Sequence, residues 1–448
     1  MSRPLRVAVV GAGPAGIYAA DILTNQHPEA SVDVIERLPA PYGLVRYGVA
    51  PDHPRIKEII KALRRALGKP GVRLIGNVAY GRDLKLDELR QFYDAVIFAT
   101  GATEDRDLDV PGVDLPGSHG AADFVSWYTG HPDHPRDWPL DARHVAVIGA
   151  GNVALDVARM LAKPVAEQMT TEVPDNVVRG LAANQATDIH VFARRGPASI
   201  KFSPMELREL SHSPSVDVHV TEEGFQVDDA GQAAIAASKG TRLVVDTLLK
   251  YLEAEPTGAP HRIHIHMCQA PVEILGDGRV EGLRTERTEL QGDGTARGTG
   301  EFIDWPVQAV YRAVGYRSTN LADVPFDDAN GVVPNAGGRV LDLDGAQVPG
   351  VYVTGWVKRG PVGLIGHTKS DASETIANLL EDLDALPAPE RPEPSAILEH
   401  LAAGGTKPFL WEDWERLDAH EIALGEADGR ERIKVVDRDE MLEVSRRA

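Results

Sequence analysis

A glycine-rich turn near the beginning of the chain has the spacing of a phosphate-binding loop. Gly11, Gly13 and Gly16, together with Ala15, belong to the string GAGPAG, which follows a short apolar run and precedes a stretch with helical spacing. Glycine at these sites permits a tight turn, lets the backbone approach a pyrophosphate and lets the helix pack closely against the strand. The free N–H groups of the helix N-terminus attract phosphate oxygens. The string therefore predicts a dinucleotide-binding loop.

An acidic residue downstream strengthens this prediction. Glu36 lies twenty residues after Gly16, where the next predicted strand ends. A carboxylate at this place accepts hydrogen bonds from ribose hydroxyls. A lone glycine motif would be weak evidence, because many such matches are ordinary turns. Here a strand, the glycines, a helix and the acid follow one another in the required order, so we predict that residues 11–36 bind a dinucleotide.

A second glycine motif is followed by arginines instead of an acid. Gly149, Gly151 and Ala154 lie in the string HVAVIGAGNVALDVARMLA, and the next predicted strand leads into Arg194 and Arg195. Two guanidinium groups pair well with a phosphate through charge-assisted hydrogen bonds. The motif therefore favours NADP(H) over NAD(H). The alternative is a pair of solvated arginines in a loop.

The chain contains one cysteine, Cys268, and this limits the redox chemistry that it can perform by itself. One thiol cannot form an internal disulfide or a CxxC dithiol, and it cannot ligate an iron–sulfur cluster. Since NADP(H) is assigned to the second motif, FAD is the natural occupant of the first. A flavin takes hydride from nicotinamide and can release single electrons. We therefore expect the one-electron acceptor to be a separate protein.

The elements around these motifs alternate as they do in parallel α/β domains. Two strand–glycine–helix units begin about 140 residues apart, and a late apolar run at 348–356 is similar in style to the first unit. We predict an α/β fold with two Rossmann-like dinucleotide-binding domains, the NADP domain being inserted into the FAD domain. The predicted bounds are 1–105 and 320–386 for the FAD domain, 106–319 for the NADP domain and 387–448 for a charged C-terminal extension with little core.

Several longer strings resemble one family of reductases. They are GLVRYGVAPDHPRIK at 43–57, GNVALDVAR at 151–159, RRGP at 194–197, MELREL at 205–210 and GWVKRGPVGLIGHTK at 355–369. They are similar to the adrenodoxin-reductase-type NADPH:ferredoxin reductases, especially the actinobacterial members, over about residues 5–380. The resemblance implies an FAD domain with an inserted NADP domain. It also implies that NADPH is oxidised and that a ferredoxin-type iron–sulfur protein receives the electrons one at a time.

The resemblance also implies which residues touch the cofactors. For FAD these are Gly13, Glu36, Leu44, Trp356, Gly363, Leu364 and Ile365. For NADP(H) they are Asn152, Val153, Ala154, Leu155, Arg194, Arg195, Glu206 and Gly363, with Arg106 as a further candidate. Taken without the family, Trp356 could equally be a core aromatic at the end of a strand.

A histidine and a glutamate match a pair that the family places near the reacting rings, where it would help proton movement. They are His53 and Glu209 in this chain. Without the family, His53 is a loop histidine at the start of a helix, with a structural role. Glu209 lies three residues after Glu206, so both can share one helix face, and the alternative is a solvated face.

A basic segment predicts where the electron acceptor docks. Between Arg46 and Arg73 the chain carries eight basic and two acidic residues, although its formal net charge is −20. Screening over about 8 Å at physiological salt lets such a patch attract an acidic carrier in spite of the overall charge. The cations that we expect at the dock are Arg46, Lys57, Lys61, Arg64 and Arg65. The alternative is an ordinary solvated helix face.

Composition and charge argue against other classes of protein. Apolar residues make up 43% and charged residues 25% of the chain, as in ordinary globular proteins. The negative net charge argues against nucleic-acid binding as a main task. The longest apolar stretch near the start is too short to span a membrane, and no secretory signal is recognisable. We therefore expect a cytoplasmic protein.

The string HRIHIHMC contains a set of residues that could bind a metal. His264, His266 and Cys268 fall on one face of a strand by period-two alternation, and two histidines with a cysteine can ligate zinc. We favour the simpler interpretation that the alternate apolar residues face the core and the histidines face water. We therefore predict no metal site.

Three other functions stay open at this point. The chain could be the flavin subunit of a larger complex, similar to a glutamate-synthase β chain, although such chains normally carry cysteine-rich cluster segments. A disulfide reductase would need a dithiol, which Cys268 alone cannot provide. The chain could also be a flavin-bearing redox sensor without turnover.

Overall fold

The computed structural model describes residues 4–363 and 365–446 and divides into two compact units. The first is built from the chain up to Glu104 and from Tyr316 onward, and the second from Asp105–Gly315. The second unit is therefore inserted into the first. The chain enters the second unit after Glu104 and returns to the first at Tyr316. These two points differ by one and four residues from the bounds that the sequence predicts.

The strands and helices alternate along most of the chain. The strands are β1 Arg6–Val10, β2 Ser31–Ile35, β3 Val72–Ile75, β4 Ala95–Phe98, β5 Glu104–Asp105, β6 Ser118–Gly120, β7 His144–Ile148, β8 Asp188–Phe192, β9 Val216–Val220, β10 His261–His266, β11 Gln269–Leu275, β12 Gly282–Leu290, β13 Ala296–Trp305, β14 Ala309–Arg312, β15 Tyr316–Arg317, β16 Asn335–Ala336, β17 Arg339–Leu341 and β18 Gln347–Val353. The helices are α1 Pro14–Gln26, α2 Leu44–Tyr47, α3 Pro54–Lys57, α4 Ile60–Leu67, α5 Leu86–Phe92, α6 Ala121–Tyr128, α7 Asn152–Ala162, α8 Asp175–Ala182, α9 Pro204–Glu209, α10 Asp229–Ala237, α11 Lys239–Leu252, α12 Trp356–Arg359, α13 Ile365–Glu381, α14 Ala396–Ala403, α15 Trp411–Ala427 and α16 Arg438–Arg446.

The first unit is built on a largely parallel sheet with the strand order β16–β17–β18–β4–β1–β2–β3. Strands β18, β4, β1, β2 and β3 pair in parallel. Every residue of β1 is buried, as expected for a parallel strand that is covered on both faces. β1 has β2 on one side and β4 on the other. The carboxyl end of β1 is therefore a topological switch point, where α/β sheets bind ligands.

The second unit repeats this plan. Its parallel sheet has the order β6–β14–β7–β8–β10–β9. An antiparallel sheet of β11, β12 and β13 follows in the chain. β7 lies between β14 and β8, so its carboxyl end is the switch point of this unit. The predicted α/β class with two Rossmann-like units is confirmed.

The last sixty residues are part of the first unit, which differs from the predicted extension with little core. Ile397 and Leu401 of α14 are buried in one apolar cluster, together with Leu89 and Phe92 of α5. A second cluster takes in side chains from the C-terminal end of the chain, namely Phe409, Trp414, Leu417, Val435, Met441 and Val444. The high charge of the segment hides these apolar positions, because they are spread widely along it.

The histidines of β10 are more buried than the sequence predicts. His266 is 3% exposed, and its ring centre lies 4.4 Å from that of Trp305 in β13. Because Trp305 packs against this face, β10 is covered on both sides, and the prediction of water-facing histidines is wrong for His266. His264 is half-buried, with Nε2 3.0 Å from Asp188 Oδ1. Within the described residues, no group of histidine, cysteine and acidic side chains is arranged to hold a metal ion.

One acid of the second unit has an unusual pKa. Asp105 Oδ2 accepts a hydrogen bond from the N–H of Ala122, in the first turn of α6, at 2.9 Å. Burial raises the pKa of Asp105 from its usual 3.8 to about 7, although the Ala122 hydrogen bond favours the charged form. The folded protein therefore holds a proton on Asp105 at pH values where the unfolded chain has lost it.

We expect the stability of the protein to fall as the pH rises from about 4 to 7, because the unfolded state then releases a proton that Asp105 keeps. Each pKa unit corresponds to about 1.4 kcal/mol, and partial exposure reduces the effect. The Asp105→Asn variant has no such proton to release. Its free energy of unfolding, relative to that of wild type, should therefore rise by about 1–3 kcal/mol from pH 5 to pH 8. Urea denaturation at the two pH values measures this gain. Asp277→Asn, at an exposed position, is the control, and an equal gain there would contradict the prediction.

None of the helices within residues 4–363 and 365–446 is both long enough and apolar enough to cross a membrane.

Candidate functional site

The first glycine loop lies at the switch point of the first sheet. Gly11 follows β1 with φ +112°, and its N–H donates to Ile35 O at 2.7 Å. A Cβ added to Gly11 would lie 2.4 Å from the carbonyl oxygen of Ala99, and one added to Gly16 would lie 2.0 Å from that of Gly11. Only glycine fits at both positions, so the loop can pass close to β4 and α1 can pack against β1.

The N-terminus of α1 is open for a ligand. Gly13 is its N-cap, and no side chain of the described residues caps the helix there. A Cβ on Gly13 would meet only the Cα of Gly43, at 4.0 Å, and Ala15 in the first turn is buried. The first N–H groups of a helix have no partner within the helix. The loop therefore fits a pyrophosphate.

Glu36 lies beside this loop, as the sequence predicts. Its Oε2 accepts from the N–H of Ala12 at 2.9 Å, and its Oε1 accepts from the N–H of Leu38 at 3.1 Å. Burial raises the pKa of Glu36 in spite of these hydrogen bonds. Each carboxylate oxygen has a further lone pair. These acceptor oxygens therefore suit the hydroxyls of an adenosine ribose, which donate to them.

A tight turn carries Leu44 next to the glycine loop. The N–H of Tyr42 donates to Ala12 O at 2.8 Å, and a Cβ on Gly43 would lie 3.0 Å from the Cα of Gly13. Leu44 then begins α2 and is partly exposed. His53 is the N-cap of α3 and is 4% exposed. The structure thus brings Leu44 to the first loop and buries His53 within the same unit.

The TGW string at residues 354–356 directly follows β18, the strand that pairs with β4. Gly355 has φ +76°, and its N–H donates to Asp371 Oδ2 at 2.5 Å. The ring of Trp356 is partly exposed and stacks on Tyr316 at 6.2 Å between ring centres. An acid does therefore approach this turn, but it comes from α13 and not from the position after Gly355.

An open cavity of about 580 Å³ lies next to Gly363 and is lined by Arg359 and His367 among others. Two buried guanidinium nitrogens of Arg359, Nε and Nη2, have no hydrogen-bond partner within the described residues. Nε also lies 3.9 Å from Asp371 Oδ1, and the carboxylates of Asp371 and Glu374 line the same cavity. A buried donor without a hydrogen bond is costly, so these two nitrogens suit a neutral acceptor such as a carbonyl group. Leu364 lies outside the described residues, and so does the side chain of Ile365, which begins α13.

The sequence reasoning missed Arg359 and Asp371. Arg359 is part of the string WVKRGP, and its position directly after the TGW turn was the available signal. Asp371 had no such signal, because only the packing of α13 against β18 brings it to Gly355.

The second glycine loop has the same geometry as the first. Gly149 has φ +153°, and a Cβ there would lie 2.3 Å from Ala313 O, whereas one on Gly151 would meet nothing within 4 Å. Gly151 is the N-cap of α7, which no side chain of the described residues caps. Ala154 and Leu155 in the first turn are fully buried. This loop, too, leaves space and N–H groups for phosphates.

The segment at residues 201–203 forms hydrogen bonds with this second loop. The Oδ1 of Asn152 accepts from the N–H of Ser203 at 2.7 Å, and the N–H of Lys201 donates to Ala150 O at 2.9 Å. Ser203 caps α9, where it hydrogen-bonds with the buried Glu206. Asn152 and Glu206 thus lie on one connected network, while Val153 beside them is partly exposed.

The two arginines after β8 have different surroundings. β8 pairs with β7, so both follow a strand next to the second loop. Arg195 Nη1 donates to Gly294 O at 3.2 Å. Arg194 is exposed, and its guanidinium has no partner among the described residues. Arg194 is therefore the arginine of this pair that is available for a phosphate.

The remaining two candidates of the second unit are Glu209 and Arg106. Glu209 lines a small cavity of about 60 Å³, together with Arg159 and Lys163. The N–H of Arg106 donates to Gly315 O at 2.8 Å, where the chain leaves the unit. His53 and Glu209 belong to different units.

The structure corrects the predicted dock. Arg46 is 4% exposed, and both its terminal nitrogens donate to Glu421 in α15. Lys57 is 5% exposed, and Arg64 forms ion pairs with Asp418 and Glu415. Arg46 and Lys57 are thus not surface cations. Arg46 is buried because the acidic helix α15 of the C-terminal segment packs against it. Lys61 and Arg65 are exposed and have no ion-pair partner within the described residues.

Comparisons with known proteins identify the family of this chain. Residues 5–369 match the family model described as pyridine nucleotide-disulphide oxidoreductase. The chain is 39% identical to NADPH-ferredoxin reductase FprA of Mycobacterium tuberculosis over 99% of each chain. It is 38% identical to the mitochondrial NADPH:adrenodoxin oxidoreductase of Homo sapiens, over 98% of this chain and 91% of that one.

A solved structure titled "Mycobacterium tuberculosis FprA in complex with NADPH" matches with a TM-score of 0.91 and 37% identity, over 99% of this chain and 100% of that chain. The resemblance that the sequence motifs indicate is thereby confirmed. The chain belongs to the pyridine nucleotide-disulphide oxidoreductases and, among them, to the adrenodoxin-reductase-type NADPH:ferredoxin reductases.

Proposed function

We propose that this protein is an FAD-dependent reductase that oxidises NADPH and passes the electrons singly to a ferredoxin-type iron–sulfur protein. One observation carries the proposal. The chain contains two open glycine loops at switch points, of which one is accompanied by the acid Glu36. The other is followed by Arg194, an exposed cation without a partner in the part of the chain that the structure describes. These are the surroundings that two different dinucleotides require. The relatives named NADPH-ferredoxin reductase and NADPH:adrenodoxin oxidoreductase match over nearly their whole length.

The first unit provides the residues that would hold FAD. The N–H groups at Gly13 and the first turn of α1 face the place of the pyrophosphate, and Glu36 accepts the ribose hydroxyls. Gly363, the Nη2 group of Arg359 and the partly exposed ring of Trp356 would contact the far end of the molecule. When bound, FAD supplies a ring that accepts hydride and gives up electrons one at a time.

The second unit provides the residues that would hold NADPH. The loop at Gly151 and the first turn of α7, with Asn152 to Leu155, bind the pyrophosphate. Arg194 binds the 2′-phosphate of the adenosine ribose, and Glu206 fixes the position of Asn152 through Ser203. We assign Arg195 a lesser role, because its guanidinium already donates to Gly294. We keep His53 and Glu209 as candidates for proton movement and Arg106 as a candidate for contact with NADP(H).

The visible spectrum of the purified protein tests the proposal. We expect flavin absorption bands that bleach on anaerobic addition of NADPH and much less on addition of the same concentration of NADH. Steady reduction of cytochrome c through an added ferredoxin would then show turnover. A colourless protein that does not bind added FAD would contradict the proposal, and a flavin that bleaches without turnover would favour a sensor.

We propose that the electron acceptor docks on the exposed cations of the basic segment, Arg55, Lys61 and Arg65. They lie on or beside α3 and α4 and are exposed. Although the net charge of the whole chain is −20, a local group of exposed cations without an ion-pair partner among the described residues can attract an acidic carrier. The cytoplasmic location predicted from the sequence stays a prediction.

We expect the Lys61→Glu variant to reduce ferredoxin about 5- to 20-fold more slowly at low salt, because charge reversal removes an attraction that guides association. The difference should shrink as ionic strength rises, since salt screens exposed charges. Stopped-flow measurement of kcat/KM for ferredoxin tests this. Lys239→Glu changes an exposed lysine of the second unit and serves as the control. Equal rates for wild type and Lys61→Glu at low salt would exclude this dock.

A further inference from the structure

The turn beside the first glycine loop is held in a strained conformation. Tyr42 has φ +84°, in the left-handed region that residues with a Cβ disfavour. Its N–H nevertheless donates to Ala12 O, and Gly43 packs directly against Gly13. Such a conformation persists only when its surroundings hold it in place.

The residues that hold this turn lie almost four hundred positions further along the chain, in α15 and the segment after it. Glu421 is fully buried and accepts from Arg46 Nη1 at 2.9 Å and from Arg46 Nη2 at 2.5 Å. Its Oε1 also accepts from the N–H of Val435 at 3.0 Å. Lys434 Nζ donates to the carbonyl oxygen of Arg46 at 2.8 Å. The side chain and the backbone of Arg46 are therefore both held by the C-terminal segment.

An aromatic contact acts on the other end of the same turn. The ring of Trp414 is 1% exposed and meets the ring of Tyr42 edge to face, at 5.6 Å between centres. The Arg46 guanidinium lies over the Trp414 ring at 5.2 Å. Trp414 thus touches both Tyr42 and Arg46, the two residues that flank Gly43, Leu44 and Val45.

We infer that residues 409–446 form a clamp that holds the turn at 42–47 in the geometry that FAD binding needs, and that Glu421 and Trp414 are positioning residues for FAD. This inference rests on the proposed function. A buried bidentate ion pair is sensitive to the loss of one partner, because the other charge is then left uncompensated. Trp414 contacts Tyr42 at one end of the turn, and Glu421 pairs with Arg46 at the other end, so both ends are held by α15.

The Glu421→Gln variant tests the clamp. It keeps an acceptor for the N–H of Val435 but removes the charge that pairs with Arg46 and, at 3.3 Å, with Arg432. We expect its dissociation constant for FAD to rise at least 10-fold, as measured by the recovery of free-flavin fluorescence on dilution. We also expect the visible circular dichroism of the bound flavin to change. Trp414→Leu is the second variant, and we expect its dissociation constant for FAD to rise as well. It tests the clamp if Glu421→Gln does not fold.

Ile397→Ala is the matched control for loss of stability. Ile397 is fully buried in α14, within the same C-terminal segment, but it packs in the cluster that contains Leu89 and Phe92. We expect this variant to lower Tm while its dissociation constant for FAD stays within twofold of wild type, with all proteins assayed well below the lowest Tm. An equal weakening in Ile397→Ala, or unchanged FAD binding in both clamp variants, would overturn the clamp. A wild-type protein without affinity for FAD would instead overturn the proposed function.

Discussion

The Gly11→Ala variant should lose FAD binding by at least 100-fold while it still binds NADP⁺. The added Cβ would lie 2.4 Å from the carbonyl oxygen of Ala99, far inside van der Waals contact, and the residue would have to keep φ +112°. An L residue in the left-handed region costs about 1–2 kcal/mol. The overlap with Ala99 adds to this, because the loop can relieve it only by moving away from β4. Such a movement displaces the N–H groups that face the pyrophosphate.

Two measurements separate a local effect from general unfolding. Titration calorimetry with NADP⁺ reports on the second unit, which has its own loop, sheet and core, so this affinity should stay near wild type. The Gly345→Ala variant is the matched control, because Gly345 also has a positive φ, +85°, but nothing lies within 4 Å of an added Cβ. It should lose about 1 kcal/mol of stability and keep its flavin. If Gly11→Ala binds FAD as Gly345→Ala does, the first loop is not the pyrophosphate site.

The glycine loops could be predicted from the sequence because their requirements are local. The position of Gly11 depends on the strand before it and the helix after it, and both are visible as patterns within about fifteen residues. The same holds for Gly149 and α7. The conformations of these glycines and the close approach of Ala99 and Ala313 are consequences of a packing that this motif always produces.

The environment of the charged residues could not be predicted in this way. Arg46 belongs to a basic segment, and its sequence neighbours suggest a surface cation. It is buried because Glu421, 375 residues away, pairs with it. His266 is buried for a similar reason, since Trp305 of β13 covers its face of the sheet. Alternation along one strand shows which residues share a face, but it does not show what lies on that face.

Arg194 is the opposite case, in which the structure sharpens an ambiguous pattern. The sequence places two arginines side by side after β8, and either could meet a phosphate. In the structure Arg195 donates to a carbonyl of the loop at Gly294, whereas Arg194 is exposed and has no partner among the described residues. The two arginines should therefore differ in their importance for NADPH.

We expect Arg194→Ala to lower kcat/KM for NADPH about 10- to 100-fold and to leave kcat/KM for NADH nearly unchanged. A hydrogen bond to a charged group contributes about 1.5–3 kcal/mol, and NADH lacks the 2′-phosphate that would receive it. Most of the loss should appear in KM, because the phosphate lies far from the reacting ring and is bound equally in the ground and transition states. Ferricyanide reduction with each nucleotide measures both constants.

Arg195→Ala and Arg194→Lys complete this experiment. Arg195→Ala should change the preference for NADPH by less than about threefold, since its side chain is already engaged with Gly294. Arg194→Lys keeps the charge but loses the bidentate geometry, so its preference should fall between wild type and Arg194→Ala. An unchanged NADPH preference in Arg194→Ala would show that the 2′-phosphate is bound elsewhere. A larger loss in Arg195→Ala would show that Arg195 leaves Gly294 when the nucleotide binds, and that it, not Arg194, determines the preference for NADPH.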